Sequence, residues 1–410
     1  MGGLGLGATA AAGYLGALAG SAPLVGALFG AYGGKMTGQA IDRYAKEVED
    51  FAFIPVHEKA SQHHGILHQK DAAREKDTRR LRVAIGISGW LTSPQDIVTP
   101  WLILSSDGFE PFALRFELDA MMGLGNALFT YIKSKAWGYA KAELIKRTIF
   151  ASLTAALWPL GLLKVAKVVD NPFSIAKTRS DKAGAVLAEA LINKVQGERP
   201  VTLVGYSMGA RAVYSCLNTL AERKAFGLVE NVILLGSPTP SDSVAWRRIR
   251  SVVAGRVVNV HSSKDYLLAF LYRSASLQLG VAGLQAVDDV IGVENVDVSE
   301  LVDGHTKYRY LTGTILKNIG FEDLDLDEVT KQEHVLRIEE KKEEEERKRN
   351  MQGEDGDEAQ MNKEVEKKKQ EGMLGWVNNG LSQIGFGAQT QSRPNENRVS
   401  GEQKIAHAGT

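Results

Sequence analysis

The chain has 410 residues, and its 49 Lys and Arg balance its 49 Asp and Glu, so the formal net charge is +0. That balance gives no reason to expect nucleic acid as a partner. Hydrophobic residues make up 44%, and the length allows one sizeable globular domain with appendages. The single cysteine, Cys216, excludes an internal disulfide, which suits a reducing compartment.

The amino-terminal segment, Gly2 to Gly34, carries no charge and is rich in Gly, Ala and Leu. As one helix it would be about 50 Å long, more than a bilayer core of roughly 30 Å, and Pro23 lies near its middle. Two short membrane spans or a re-entrant hairpin are therefore favoured, with a disordered leader as the alternative. Lys35, Arg43 and Lys46 follow the run and would place the next domain on the cytosolic face.

Four histidines follow this segment: His57, His63, His64 and His68. They have no nearby cysteine and no spacing typical of a zinc site. We therefore predict a solvated helix here, no metal, and no cofactor for the chain.

Two strand-like segments come next. Leu81 to Leu91 runs from alternating to apolar residues and breaks at Ser88-Gly89, and Phe112 to Glu117 is the second strand. An insertion of about 119–183 then precedes the next strand. It contains the apolar stretch Ile149 to Val169. The uncharged part of this stretch, Phe150 to Leu163, has about 14 residues and is short for a membrane span of roughly 20. The run predicts an interfacial or re-entrant lid element, or a buried core helix.

The most specific motif is Val201 to Arg211, which reads V-T-L-V-G-Y-S-M-G-A-R. A β-branched strand runs into Gly-x-Ser-x-Gly and then into a helix-forming stretch, as in the nucleophile elbow of an α/β-hydrolase. We predict Ser207 as the nucleophile, with Gly205 and Gly209 giving clearance at the sharp turn. The Met208 N–H at the helix start is the predicted first oxyanion donor.

The acid and then the base should follow the serine along the chain. Strands are predicted at 229–235 and 256–262, and the second leads into a loop that carries Asp265. Asp265 is the predicted acid. His305 is the predicted base, because it lies in a Gly-containing loop between a strand at 293–298 and a helix starting near Tyr308.

The second oxyanion donor should come from the loop after the first strand. We predict the N–H of Trp90 or of Leu91, although Trp90 could equally belong to the core or to an acyl-pocket wall.

The carboxyl-terminal part changes composition sharply from about Asp323. Glu339 to Arg349 is dense in both signs of charge, which predicts an exposed helix or short coiled coil, or else disorder. This region is a candidate site for a protein partner. Met373 to Phe386 is an isolated apolar island within a polar tail, and it is either a partner- or membrane-touching motif or simply part of the tail.

Together these motifs resemble the DUF726 family of transmembrane and coiled-coil domain protein 4-like α/β-hydrolases, most similarly its fungal members. The resemblance covers about Gly16 to Leu316 and rests on the elbow, the His305 loop, Gly89-Trp90-Leu91, Ala156-Leu157-Trp158-Pro159 and Val169-Asp170-Asn171-Pro172-Phe173. It implies a membrane-associated, lipase-like serine hydrolase of endomembranes, with a link to vesicle traffic at the Golgi.

The sequence therefore predicts an α/β-hydrolase fold with a central, mostly parallel sheet. The predicted function is hydrolysis of an ester, with membrane lipid as substrate and anchor. The rival hypothesis is a trafficking or scaffold protein that keeps the fold and acts through partner binding. The predicted parts are a membrane segment at 1–40, the hydrolase at 41–320, a charged helix or coiled coil at 321–352 and a largely disordered tail at 353–410.

Overall fold

A computed structural model represents the protein. It describes residues 48, 50–57, 80–134, 137–138, 141–142, 160–275 and 280–346, with the backbone alone at 160–170 and 273–275. The chain divides into two compact units, Met1–Glu339 and Glu340–Thr410. The predicted membrane segment at 1–40 and the tail at 353–410 lie outside the described residues.

The first unit is a mixed α/β structure built on one seven-stranded sheet. Its strands are β1 (Phe51–Pro55), β2 (Arg82–Ile87), β3 (Phe109–Phe116), β4 (Val201–Tyr206), β5 (Val229–Leu235), β6 (Val257–His261) and β7 (Val293–Asp297). Their order is β1-β3-β2-β4-β5-β6-β7; β1 is antiparallel to β3, and every other pair is parallel. The predicted mostly parallel sheet is thus confirmed.

Helices flank this sheet and cover the apolar residues of its central strands, which are buried on both faces. They are α1 (Leu118–Ile132), α2 (Leu160–Ile192), α3 (Met208–Glu222), α4 (Ser243–Arg250), α5 (Tyr266–Ala275) and α6 (Tyr308–Asn318). A further helix, α7 (residues 326–346), follows, and its Gln332 accepts a hydrogen bond from the Gly313 N–H of α6. Because the six parallel strands end at the same edge, the loops after β2, β4, β6 and β7 converge there. Those loops carry the residues singled out in the sequence.

The edge strand β1 was not predicted. Phe51 to Ile54 are buried and pair with β3, and β1 places its five residues opposite residues 112–116. A five-residue strand carries too few positions for a periodic pattern to show. His57 follows β1, and its Nε2 lies 2.7 Å from the Leu104 carbonyl oxygen. His63, His64 and His68 lie outside the described residues.

The predicted insertion at 119–183 contains α1 and the first two-thirds of α2. Residues 160–169 of the apolar run are helical, and the rest of that run lies outside the described residues. Within the described part of the chain, no helix combines the length and apolar character needed to cross a bilayer. Residues 339–346 of the predicted charged helix are helical.

Candidate active site

Ser207 occupies the sharp turn between β4 and α3. Its backbone has φ 55° and ψ −126°, a conformation that residues with a Cβ rarely adopt. A Cβ on Gly205 would lie 2.7 Å from the Gly209 carbonyl carbon, and one on Gly209 would lie 2.7 Å from the Ile87 carbonyl carbon. Both neighbours must therefore be glycine for the strand, the turn and the helix to pack.

A hydrogen-bonded chain joins three residues from three separate loops. His305 Nε2 lies 2.7 Å from Ser207 Oγ, and His305 Nδ1 lies 2.6 Å from Asp265 Oδ2. Ser207 and His305 are each 3% exposed, and Asp265 is fully buried. The structure thus brings together the three residues that the sequence singled out, in the arrangement by which a serine can pass its proton to an imidazole.

Asp265 is held from its second oxygen as well. Its Oδ1 accepts a hydrogen bond from the Leu268 N–H at 2.9 Å, at the amino end of α5. A carboxylate is stabilised there by the unpaired N–H groups and the helix dipole. Burial and the negative charge of Asp265 raise the pKa of Tyr308 well above its ordinary value, so this phenol stays neutral beside the site. Because the Leu268 N–H bonds Oδ1, the other Asp265 oxygen, Oδ2, is the one that bonds His305.

The loop after β2 lies directly against the serine turn. A Cβ added to Gly89 would overlap the Tyr206 carbonyl oxygen and the Met208 nitrogen. The Leu91 N–H is already used, because it donates to the Met121 carbonyl oxygen at 3.2 Å. No described residue accepts a hydrogen bond from the backbone N–H of Trp90. The choice between Trp90 and Leu91 as the second donor stays a prediction, and the engagement of the Leu91 N–H in this conformation favours Trp90.

Two further histidines that follow the serine lie elsewhere. His261 is the last residue of β6, and His334 lies in α7. Neither hydrogen-bonds Ser207. Among the described residues, no group of three or more His, Cys, Asp or Glu side chains is arranged to hold a metal ion.

Sequence reasoning missed a charged pair between the β2 loop and α6. Asp96 lies in a short turn, Pro94–Ile97, and its Oδ2 lies 3.1 Å from Arg309 Nη1. Arg309 follows His305 by four residues. This spacing is the one feature of the sequence that points to Arg309, because it places the residue on the first turn of the helix that follows the His305 loop.

Comparison with known proteins matches residues 1–322 to a family described as a protein of unknown function, DUF726. The chain belongs to the DUF726 family. The resemblance seen in the sequence is thereby confirmed, and the family's description assigns no activity.

Relatives from fungi and plants give three informative names. An uncharacterized membrane protein of Schizosaccharomyces pombe is 43% identical over 74% of this chain and 50% of its own length. The transmembrane and coiled-coil domain-containing protein STS1 of rice is 39% identical over 74% of this chain and 43% of its own. The probable lipase MIL1 of Saccharomyces cerevisiae is 34% identical over 64% and 25%. The chain thus spans half the length of these relatives or less.

Proposed function

We propose that the chain is a serine hydrolase of the α/β-hydrolase fold that cleaves a carboxylic ester. The observation that carries the proposal is the hydrogen-bonded series Ser207, His305, Asp265, with distances of 2.7 and 2.6 Å. The order of the three along the chain and the parallel sheet beneath them match the expectation for this fold.

In the proposed reaction, His305 Nε2 takes the proton of the Ser207 hydroxyl as Oγ attacks the ester carbonyl carbon. The tetrahedral intermediate collapses when His305 returns that proton to the leaving alcohol, which gives an acyl-enzyme. A water molecule then repeats the sequence: His305 takes its proton, the hydroxide attacks, and Ser207 leaves with the proton restored. Asp265 fixes the Nδ1–H tautomer throughout and stabilises the imidazolium.

Negative charge on the carbonyl oxygen needs two donors. Met208 is the first residue of α3, directly after Ser207, so its N–H has no partner within the helix and is the proposed first donor. The Trp90 N–H is the proposed second donor, from the loop that packs on the same turn. Each such donor contributes roughly 10²–10³ to the rate in hydrolases of known mechanism.

We propose a lipid ester as the substrate class and a membrane as the place of action. One relative is named a probable lipase, two others are named as membrane or transmembrane proteins, and the uncharged run Gly2 to Gly34 has the composition of a membrane segment. Residence at the Golgi or endoplasmic reticulum and a cytosolic orientation remain predictions.

The test is labelling of the detergent-solubilised full chain by a fluorophosphonate probe, which reacts with an activated serine. We expect labelling of the wild type and none of Ser207→Ala or His305→Ala. Ser180→Ala is the matched control, because Ser180 is also buried and its hydroxyl donates to the Ala176 carbonyl oxygen one turn earlier in α2. A folded wild type that stays unlabelled in detergent and in liposomes would refute the enzyme and favour the scaffold hypothesis.

A further inference from the structure

One charged pair connects the two loops on which the proposed reaction depends. Asp96 belongs to the loop after β2, which also carries Trp90. Arg309 is the second residue of α6, directly after the turn His305–Lys307. A bond between these two side chains therefore joins the oxyanion loop to the segment that carries the base.

Asp96 accepts the hydrogen bonds that hold its loop together. Its Oδ2 accepts from the Thr92 N–H at 2.7 Å, the Thr92 hydroxyl at 2.8 Å and the Ser93 N–H at 3.0 Å. Arg309 Nη1 donates to the same oxygen at 3.1 Å and to Thr92 Oγ1 at 3.0 Å. Thr92, Ser93 and Asp96 lie within five positions of the chain, so these hydrogen bonds close the loop on one carboxylate oxygen. The bond from Arg309 connects the same oxygen to α6.

Arg309 also contacts Trp90, the residue whose backbone N–H is the proposed second donor. Its guanidinium carbon lies 4.9 Å from the centre of the Trp90 ring and 4.4 Å from that of Tyr310, whose hydroxyl accepts from Nη2. The side chains of Arg309 and Asp96 are only 17% and 16% exposed. A guanidinium stacked on an aromatic face and paired with a carboxylate away from water has a fixed orientation.

We propose that Arg309 and Asp96 are positioning residues that hold the Trp90 N–H where the oxyanion develops; this inference rests on the proposed function. Neither side chain is part of the Ser207, His305, Asp265 series. Loss of the pair would free the β2 loop while leaving the two hydrogen bonds of that series in place. The expected defect is therefore in transition-state stabilisation and not in the activation of the serine.

The experiment uses the full chain in detergent and measures kcat and KM for a short 4-nitrophenyl ester, together with the rate of fluorophosphonate labelling. We expect Arg309→Gln and Asp96→Asn each to lower kcat by roughly 10- to 100-fold, because displacing a catalytic group by about 1 Å costs up to that factor. KM should change little, since ground-state binding is not altered. The kcat of the double variant should fall no further than that of the worse single variant, because both substitutions remove the same ion pair.

Arg199→Gln is the matched control. Arg199 is 19% exposed and pairs with Glu110, which is 25% exposed, at the opposite end of the strands from Ser207. The Arg199→Gln substitution removes an ion pair about as buried as that of Arg309 with Asp96. It should therefore lower the free energy of unfolding to a similar extent without lowering kcat.

The outcomes separate the inference from the function on which it rests. An unlabelled wild type refutes both. A labelled wild type with Arg309→Gln and Asp96→Asn at wild-type kcat, or with losses equal to that of Arg199→Gln, overturns the positioning role. If Arg309→Gln does not fold, the nearly isosteric Asp96→Asn decides on the same criteria.

Discussion

Gly89 gives the sharpest test of how the β2 loop meets the serine turn. In Gly89→Ala the new Cβ would lie 2.7 Å from the Gly209 nitrogen and closer still to the Tyr206 carbonyl oxygen and the Met208 nitrogen, whereas ordinary contact begins at 3.4 Å. All three are backbone atoms, so no side chain can rotate away. To bring the shortest of these contacts, 2.1 Å to the Tyr206 carbonyl oxygen, to 3.4 Å, the loop and the turn must separate by about 1.3 Å.

The expected result is a large loss of activity with a smaller loss of stability. Overpacking of this kind costs about 1–3 kcal/mol of the free energy of unfolding. A shift of that size between the Trp90 and Met208 donors should lower the labelling rate roughly 100-fold, because a displacement of about 1 Å already costs that factor. Thermal unfolding and the rate of fluorophosphonate labelling measure the two effects on the same sample.

Gly123→Ala is the matched control. Gly123 is exposed on α1, and a Cβ there meets no atom within 4 Å. The same substitution should therefore leave labelling unchanged and stabilise the helix by about 0.5–1 kcal/mol. A Gly89→Ala variant that is labelled as fast as Gly123→Ala would refute the packing of the loop on the turn, and with it the role of Trp90.

Three further predictions concern single groups. Asp265→Asn should lower kcat by about 10³-fold or more while the protein stays folded, since the imidazole loses its tautomer partner; a loss below about tenfold would contradict its role. Burial lowers the pKa of His261 below its ordinary 6.5, so the unfolded chain binds that proton more readily and stability falls as the pH drops through this value. His261→Gln should reduce the difference in unfolding temperature between about pH 7.5 and about pH 5.5, and an unchanged difference would refute the assignment. Burial raises the pKa of the Cys216 thiol, so iodoacetamide should alkylate it only after denaturation, and rapid alkylation of the native protein would refute its burial.

The central strands of the sheet could be predicted from the sequence because most of their residues are apolar. The predicted strand at 293–298 and the helix starting near Tyr308 are observed within one residue of those limits. The elbow motif also fixed the positions of Gly205 and Gly209, because backbone crowding leaves no other residue type there. These features depend on local chemistry, which a sequence records directly.

The contacts between loops could not be predicted in the same way. Nothing in the sequence indicates that the Leu91 N–H is used by the Met121 carbonyl oxygen, because both groups are backbone. Likewise, the partnership of Asp96 with Arg309 joins residues 213 positions apart, and each alone looks like an ordinary surface charge. The predicted protein partner of the charged region and the Golgi location stay predictions.

The hydrogen bonds of the candidate site span 98 residues between Ser207 and His305 and 40 between Asp265 and His305. During synthesis the serine therefore leaves the ribosome well before its base exists. A nascent or truncated chain that ends ahead of His305 would carry the complete elbow and still be inert. Under the proposed mechanism, reactivity at Ser207 would appear only when the last strand and α6 have docked, and probe labelling would then report how many molecules in a preparation have completed folding.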